Sequence, residues 1–196
     1  VYKRQYLNSK FWGKMSLIDT TQPSTSVRNY ALGILVVVYT FNFIDRQILS
    51  ILLESIKTDL NLSDTSLGFL TGFAFALFYA TLGIPIAKYA DRGNRRNLIA
   101  ISIAVWSFMT ALSGLAQNFF HLLFARIGVG VGEAGCSPPA HSMIADYFPA
   151  NKRSTALGIY SLGIPFGIMF GLFAGGWINE IFGWRLAFFV VGIPGL

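Results

Sequence analysis

Five apolar stretches recur along the chain, at about residues 30–53, 67–89, 98–116, 119–143 and 156–178. At 1.5 Å per residue, about 20 residues make a helix about 30 Å long, the thickness of a bilayer's hydrocarbon core. In hydrocarbon every backbone N–H and C=O must be satisfied internally, so each stretch is expected to be a spanning helix. Strand-type alternation is weak, which argues against a membrane barrel. A sixth apolar stretch occupies residues 185–196, about 18 Å of helix, and is too short to span as written. Composition agrees: 12% of residues are charged, against about a quarter in soluble domains, and 54% are hydrophobic. Its 20 Gly and 18 Phe suit close helix packing and lipid contact.

The connections differ in charge. Residues 1–29, a polar tail without a signal peptide's apolar core, hold Lys3, Arg4, Lys10, Lys14 and Arg28. The second-to-third connection holds Lys88, Arg92, Arg95 and Arg96, and the fourth-to-fifth holds Lys152 and Arg153. The other connections carry only Lys57, then no cation, then Arg185. The positive-inside rule puts the basic side, with the N-terminus, in the cytoplasm. The net charge of +6 is thus explained by topology, and no nucleic-acid partner is expected. Local signals fit these boundaries: Ser63, Asp64 and Ser66 can cap the second helix, Asn151 and Ser154 the fifth. Trp177 and Trp184 are expected at the membrane interface.

Within the fourth stretch, Gly130 to Gly135 fits G-x-G-x-x-G, the spacing of a dinucleotide-binding loop. Such a loop needs a strand before it and an acidic residue about 20 further on. Here FFHLLFARI continues a spanning segment and Asp146 is too near, so the glycines are read as a small-residue helix face and an enzyme is not expected. The single Cys136 excludes an intrachain disulfide and a Cys-based metal site, and His121 and His141 are isolated. No cofactor or metal is expected.

A charge inside a span costs about 2.5 to 3.5 kcal/mol on insertion scales, which makes it a functional candidate. Four stand out: Asp45 and Arg46 in the first helix, Arg126 and Glu133 in the fourth. Arg126 and Glu133 are two helical turns apart and share a face. Counted along upright helices, Asp45 is about 21 Å and Arg126 about 20 Å from the cytoplasmic side, so these two are expected to meet. That pair could serve coupling or simply fix packing. Glu133, about 10 Å further inward, has no basic residue of its own helix at that depth and is expected to be unpaired. Desolvation penalises a carboxylate's charged form, so such a group can take up and release a proton. His141 either extends a proton path or is a helix-end bystander.

Gly163, Gly167, Gly171 and Gly175 recur every fourth residue and form one ridge for a neighbouring helix. Pro85, Pro138, Pro139, Pro165 and Pro194 interrupt helical hydrogen bonding, consistent with bends or with static packing.

The turn after the second helix, Gly83-Ile-Pro-Ile-Ala-Lys-Tyr-Ala-Asp91-Arg92-Gly93-Asn-Arg95-Arg96, resembles the major facilitator loop signature G-x-x-x-D-R-x-G-R-R, with Ala87 at the leading glycine. Arg126 to Gly130 resembles that superfamily's fourth-helix R-x-x-x-G. Together NFIDRQILS, LSDTSLGFLTGFAFALFYATLGIPIAKYADR and ARIGVGVGEAGCSPPAHSMIADYFP resemble a bacterial member of the spinster-like lipid transporters, over about residues 30–196. The resemblance implies an all-α membrane protein of twelve helices in two bundles, of which this chain is the amino-terminal six-helix bundle with its sixth helix truncated. The absent initiator Met and the VYKRQ start suggest a fragment at both ends, which alone should not transport. It also implies proton coupling through Asp45 and Glu133, and a charge network or substrate contact at Arg46 and Arg126. Gly83, Asp91, Arg92, Gly93, Arg95 and Arg96 would form a cytoplasmic gate against the carboxy-terminal bundle. The expected substrate is lipid-like or amphiphilic, with protons as the coupling ion, in the bacterial inner membrane. The alternatives are a facilitator for small organic anions such as sugar acids, or a structural subunit or receptor.

Overall fold

The structure, a computed structural model, describes residues 23–90 and 93–196, and these form a helical bundle. The tail residues 1–22, with Lys3, Arg4, Lys10 and Lys14, and the gate residues Asp91 and Arg92 lie outside the described residues. Among the described residues, five helical segments are long and apolar enough to cross a membrane, and a shorter sixth covers Trp184–Gly195.

The first span is α1, Thr25–Leu60. It is longer than its apolar stretch at both ends, because a helix continues past hydrocarbon wherever its terminal groups are capped. The Ser24 side chain accepts from the Val27 N–H, and Asn61, left-handed at φ 51°, donates its N–H to the Lys57 carbonyl. Ser63 then opens the second span, its Oγ accepting from the Ser66 N–H at 3.2 Å. This span is composite: α2 (Asp64–Gly68), a π-helical segment (Phe69–Ala74) and α3 (Phe75–Ala90) with Pro85 inside it. The third span, α4 (Arg95–Ser113), is capped by Asn94.

The fourth span is α5 (Phe119–Ala134), capped by Asn118, followed by α6 (Ser137–Tyr147). Pro138 and Pro139 occupy the first turn of α6, where a missing N–H leaves no intrahelical bond unmade. They restart the helix after Gly135 and Cys136. The fifth span is α7 (Ala150–Ser161) and α8 (Gly163–Phe182). Its expected caps are corrected: the helix starts behind Pro149, so Asn151 and Ser154 lie inside its first turns. Gly183, at φ 83°, ends α8 and allows the reversal into α9 (Trp184–Gly192), which closes in a 3-10 turn, Ile193–Gly195.

α1 packs most extensively on α8, α4 on α5, and α3 on α5, while α9 lies against α4, α8 and α1. Two apolar clusters fill the bundle. One gathers Ile48, Leu52, Leu67, Leu122 and Phe188; the other gathers Leu35, Ile99, Trp106, Val129 and Tyr160. On α1 the turn from Asn42 to Arg46 falls between the two clusters, and the charged residues gather there. Phe73, Phe120, Phe173 and Trp177 point outward. Trp184 does not: it is buried, with Nε1 donating to Asp59 Oδ2 at 3.3 Å, because Arg185 and Asp59 draw the start of α9 onto the end of α1.

Candidate functional site

Neighbouring residues on a helix point about 100° apart, so Asp45 and Arg46 of α1 cannot serve the same partner face. Asp45 shares its face with Asn42, one turn away, and both are buried. It faces α4, within reach of Thr110 and Trp106. Among the described residues its Oδ1 has no hydrogen-bond partner, and neither do Thr110 Oγ1 and Trp106 Nε1. Arg46 turns instead toward α5 and the second span, where Nη2 at 2.5 Å and Nε at 3.1 Å both donate to Glu133 Oε2.

Two expectations are corrected by this pairing. Glu133 is not unpaired, since Arg46 reaches it from the neighbouring helix. Asp45 and Arg126 form no ion pair among the described residues, although Arg126 stays within electrostatic reach of both acids. The physical reason is side-chain reach. Depth counted along upright helices treats charges as if they sat on the helix axis, whereas a guanidinium on its aliphatic stem extends well beyond its own turn.

Glu133 and Arg126 are each at most 2% exposed, yet Glu133 Oε1 and Arg126 Nε lack hydrogen-bond partners among the described residues. Aromatic faces complete the surroundings. The Arg46 guanidinium carbon lies 5.1, 5.0 and 5.3 Å from the ring centroids of Phe43, Phe75 and Tyr79, and that of Arg126 lies 5.5 Å from Phe75. Two acids and two guanidiniums balance only when all are ionised. A proton on either acid leaves one guanidinium in excess, which must then shift or attract an anion. A cavity of about 130 Å³, lined by Arg46, Ser50, Thr71, Phe75 and Arg126 among others, opens beside the two arginines. A larger groove of about 550 Å³ lies apart from these charges, between the starts of α1 and α4 and the end of α6.

The glycines of the fourth span make this proximity possible. A Cβ on Gly132 would stand 2.7 Å from the Trp106 backbone nitrogen, and one on Gly128 would meet Met109 Cγ at 2.5 Å, so these two admit α4. A Cβ on Gly130 would meet the Phe75 carbonyl oxygen at 3.3 Å, so Gly130 admits the second span. The G-x-G-x-x-G spacing therefore lies on a helix squeezed between two neighbours.

Among the gate residues, Arg95 forms an ion pair with Asp146, tying the start of α4 to the end of α6. Arg96 is exposed, Gly83 lies within α3, and Gly93 precedes α4. His141 packs edge-on against Tyr160, which stacks on Tyr39 at 4.2 Å. The sequence reading missed Phe75, Tyr79, Trp106 and Thr110. Each pair has a spacing of four, which places its members on one helix face, and that signal was available.

The Major Facilitator Superfamily profile matches residues 35–196. An MFS-type efflux pump of Mycolicibacterium smegmatis is 41% identical over 83% of this chain and 38% of its own length. A probable galactarate/D-glucarate transporter of Bacillus subtilis is 36% identical over 88% of this chain and 39% of its own. A crystal structure of a bacterial homolog to the human lysosomal transporter Spinster, inward-facing and occupied, superposes with a TM-score of 0.83 at 42% identity, covering 88% of this chain and 43% of that one. The chain thus spans about two fifths of the length of the relatives it matches. With the Spinster-like resemblance now matched in both sequence and fold, the chain belongs to the Major Facilitator Superfamily and closely resembles its Spinster members.

Proposed function

We propose that this chain is the amino-terminal bundle of a proton-coupled secondary transporter that moves a lipid-like or amphiphilic solute by alternating access. The observation that carries this reading is the ion pair between a half-buried Arg46 and a buried Glu133 whose second carboxylate oxygen has no partner among the described residues, next to a second buried acid, Asp45. Protonating Glu133 weakens its hold on Arg46 and leaves the site with excess positive charge. Arg46 and Arg126 then attract the polar head of a substrate, and the rocking of this bundle against a carboxy-terminal one carries both across. Asp45 is the second proton acceptor. The motif residues Gly83, Asp91, Arg92, Gly93, Arg95 and Arg96 latch the cytoplasmic side against that second bundle. In the complete protein, Glu133→Gln abolishes pH-driven uptake of a lysolipid into proteoliposomes while expression and folding are retained. Coupling that survives this change sinks the reading.

The orientation rests on the sorted cations. In the bacterial inner membrane, Ser63→Cys reacts with an impermeant maleimide on intact spheroplasts and Asn151→Cys reacts only after lysis; the reverse pattern overturns a cytoplasmic N-terminus.

A second reading has its own support in the two arginines and in the 36% identity to a sugar-acid transporter. In it the substrate is a small organic anion. Competition decides: galactarate displacing bound substrate where lysolipid does not would favour the anion.

A further inference from the structure

We infer that Phe75 is a positioning residue for proton coupling, its ring holding the Arg46 and Arg126 guanidiniums in register while the charge on Glu133 changes. This rests on the transport reading above for its consequence, though not for its geometry. Three rings surround Arg46, and Phe75 is the one that also lies under Arg126, at 5.0 and 5.5 Å. Both distances fall within the roughly 6 Å over which a cation is drawn to a ring face. Among the described residues the ion pair of Arg46 is to one carboxylate oxygen, whose hold a proton on Glu133 weakens, with the Tyr79 side chain also close. Arg126 is buried, and its Nε has no hydrogen-bond partner among the described residues. A neutral ring is an anchor whose strength does not depend on that proton.

Two backbone features aim the ring. Phe75 is the first residue of α3, directly after the π-helical segment Phe69–Ala74. An extra residue in a helical turn rotates everything beyond it by roughly 100°, and such insertions recur at functional sites. Opposite, Gly130 leaves room for the Phe75 backbone against α5, where a Cβ would stand 3.3 Å from its carbonyl oxygen. The register shift and the missing side chain converge on one aromatic position. Phe73, two residues earlier, points outward.

The test replaces Phe75 in the full-length transporter by mono-, di- and trifluorophenylalanine, which keep the ring's volume while draining its negative face. Uptake of a fluorescent lysolipid under a pH gradient is expected to fall stepwise, by about tenfold across the series, in maximal rate more than in KM. Phe75→Tyr should retain uptake within about twofold, and Phe75→Leu should match the trifluoro protein. A flat series, or Leu equal to Tyr, overturns the inference. A second arm needs no transport. The fluorine resonance of 4-fluorophenylalanine at position 75 in purified protein is expected to move in both Arg46→Met and Arg126→Met backgrounds. A signal indifferent to either arginine overturns the shared contact, whereas movement in both with no uptake by the parent protein rejects the transport reading alone.

Discussion

The two long faces of α1 meet their neighbours in opposite ways. On one, Tyr39, Thr40, Phe43, Ile44 and Ile48 lie on the glycine ridge of α8, close enough that added Cβ atoms at Gly163, Gly167 and Gly175 would stand 2.9, 2.5 and 2.6 Å from side-chain atoms of α1. On the other, wider one, Asp45 turns to α4 and Arg46 to α5 and α3, and among the described residues Asp45 Oδ1, Glu133 Oε1 and Arg126 Nε have no hydrogen-bond partner. Glycine packing gains from dispersion and from backbone proximity, and it tolerates one arrangement. A charged interface with spare donors and acceptors has alternatives of similar energy. The first face is suited to carry α1 and α8 as one rigid unit, and the second to change state within it.

Filling the ridge should produce the largest effect. A Cβ at Gly167 meets Phe43 Cβ at 2.5 Å and the Thr40 carbonyl at 2.6 Å, and neither backbone can retreat without parting α1 from α8. Gly167→Leu is expected to abolish the folded, monodisperse protein in detergent, and Gly167→Ala to destabilise it by about 1 to 3 kcal/mol. At Gly171 the nearest atom is Gln47 Cβ at 3.4 Å, an ordinary contact, so Gly171→Ala should leave the melting temperature within about 2 °C of the parent. Equal effects at the two positions would break the picture of a ridge that is tight at Gly167 and relaxed one turn later.

The contrast also shows what a sequence can carry. The ridge was legible because a spacing of four is a property of the helix itself, and α8 presents Gly163, Gly167, Gly171 and Gly175 buried on one side. The number and order of the spans were legible because hydrocarbon thickness sets a length that hydropathy reports. The charges were flagged because each is costly in a span. Their pairing was not legible, since it depends on the direction in which α1 meets α4 and α5 and on how far Arg46 reaches. Phe75 was hidden among many phenylalanines: its spacing of four to Tyr79 marks a helix face, but Phe69 and Phe73 share that spacing, and which of the two faces turns inward is not known until the π-helical segment is. Trp184 misled for a related reason: an indole at a span's end looks interfacial until Asp59 and Arg185 are seen to draw it inward.

The smallest effect on stability, paired with a large one on transport, is expected at Asp45. Its carboxyl is buried at 1% exposure, with no ion pair and one oxygen unpartnered among the described residues, so it contributes little to cohesion and is costly whenever it is charged. Asn keeps the shape and faces the same two side chains of α4, Thr110 and Trp106. Asp45→Asn should therefore leave thermal stability unchanged or raise it by up to about 1 kcal/mol, since replacing a poorly compensated buried charge is often neutral or stabilising. The same variant should lose pH-driven uptake, because an amide cannot take up the proton. Stability by thermal denaturation in detergent and uptake in proteoliposomes, measured on one preparation, separate the two faces. A variant that melts as early as Gly167→Ala would mean that Asp45 holds α1 to α4, and that the charged face is as fixed as the glycine one.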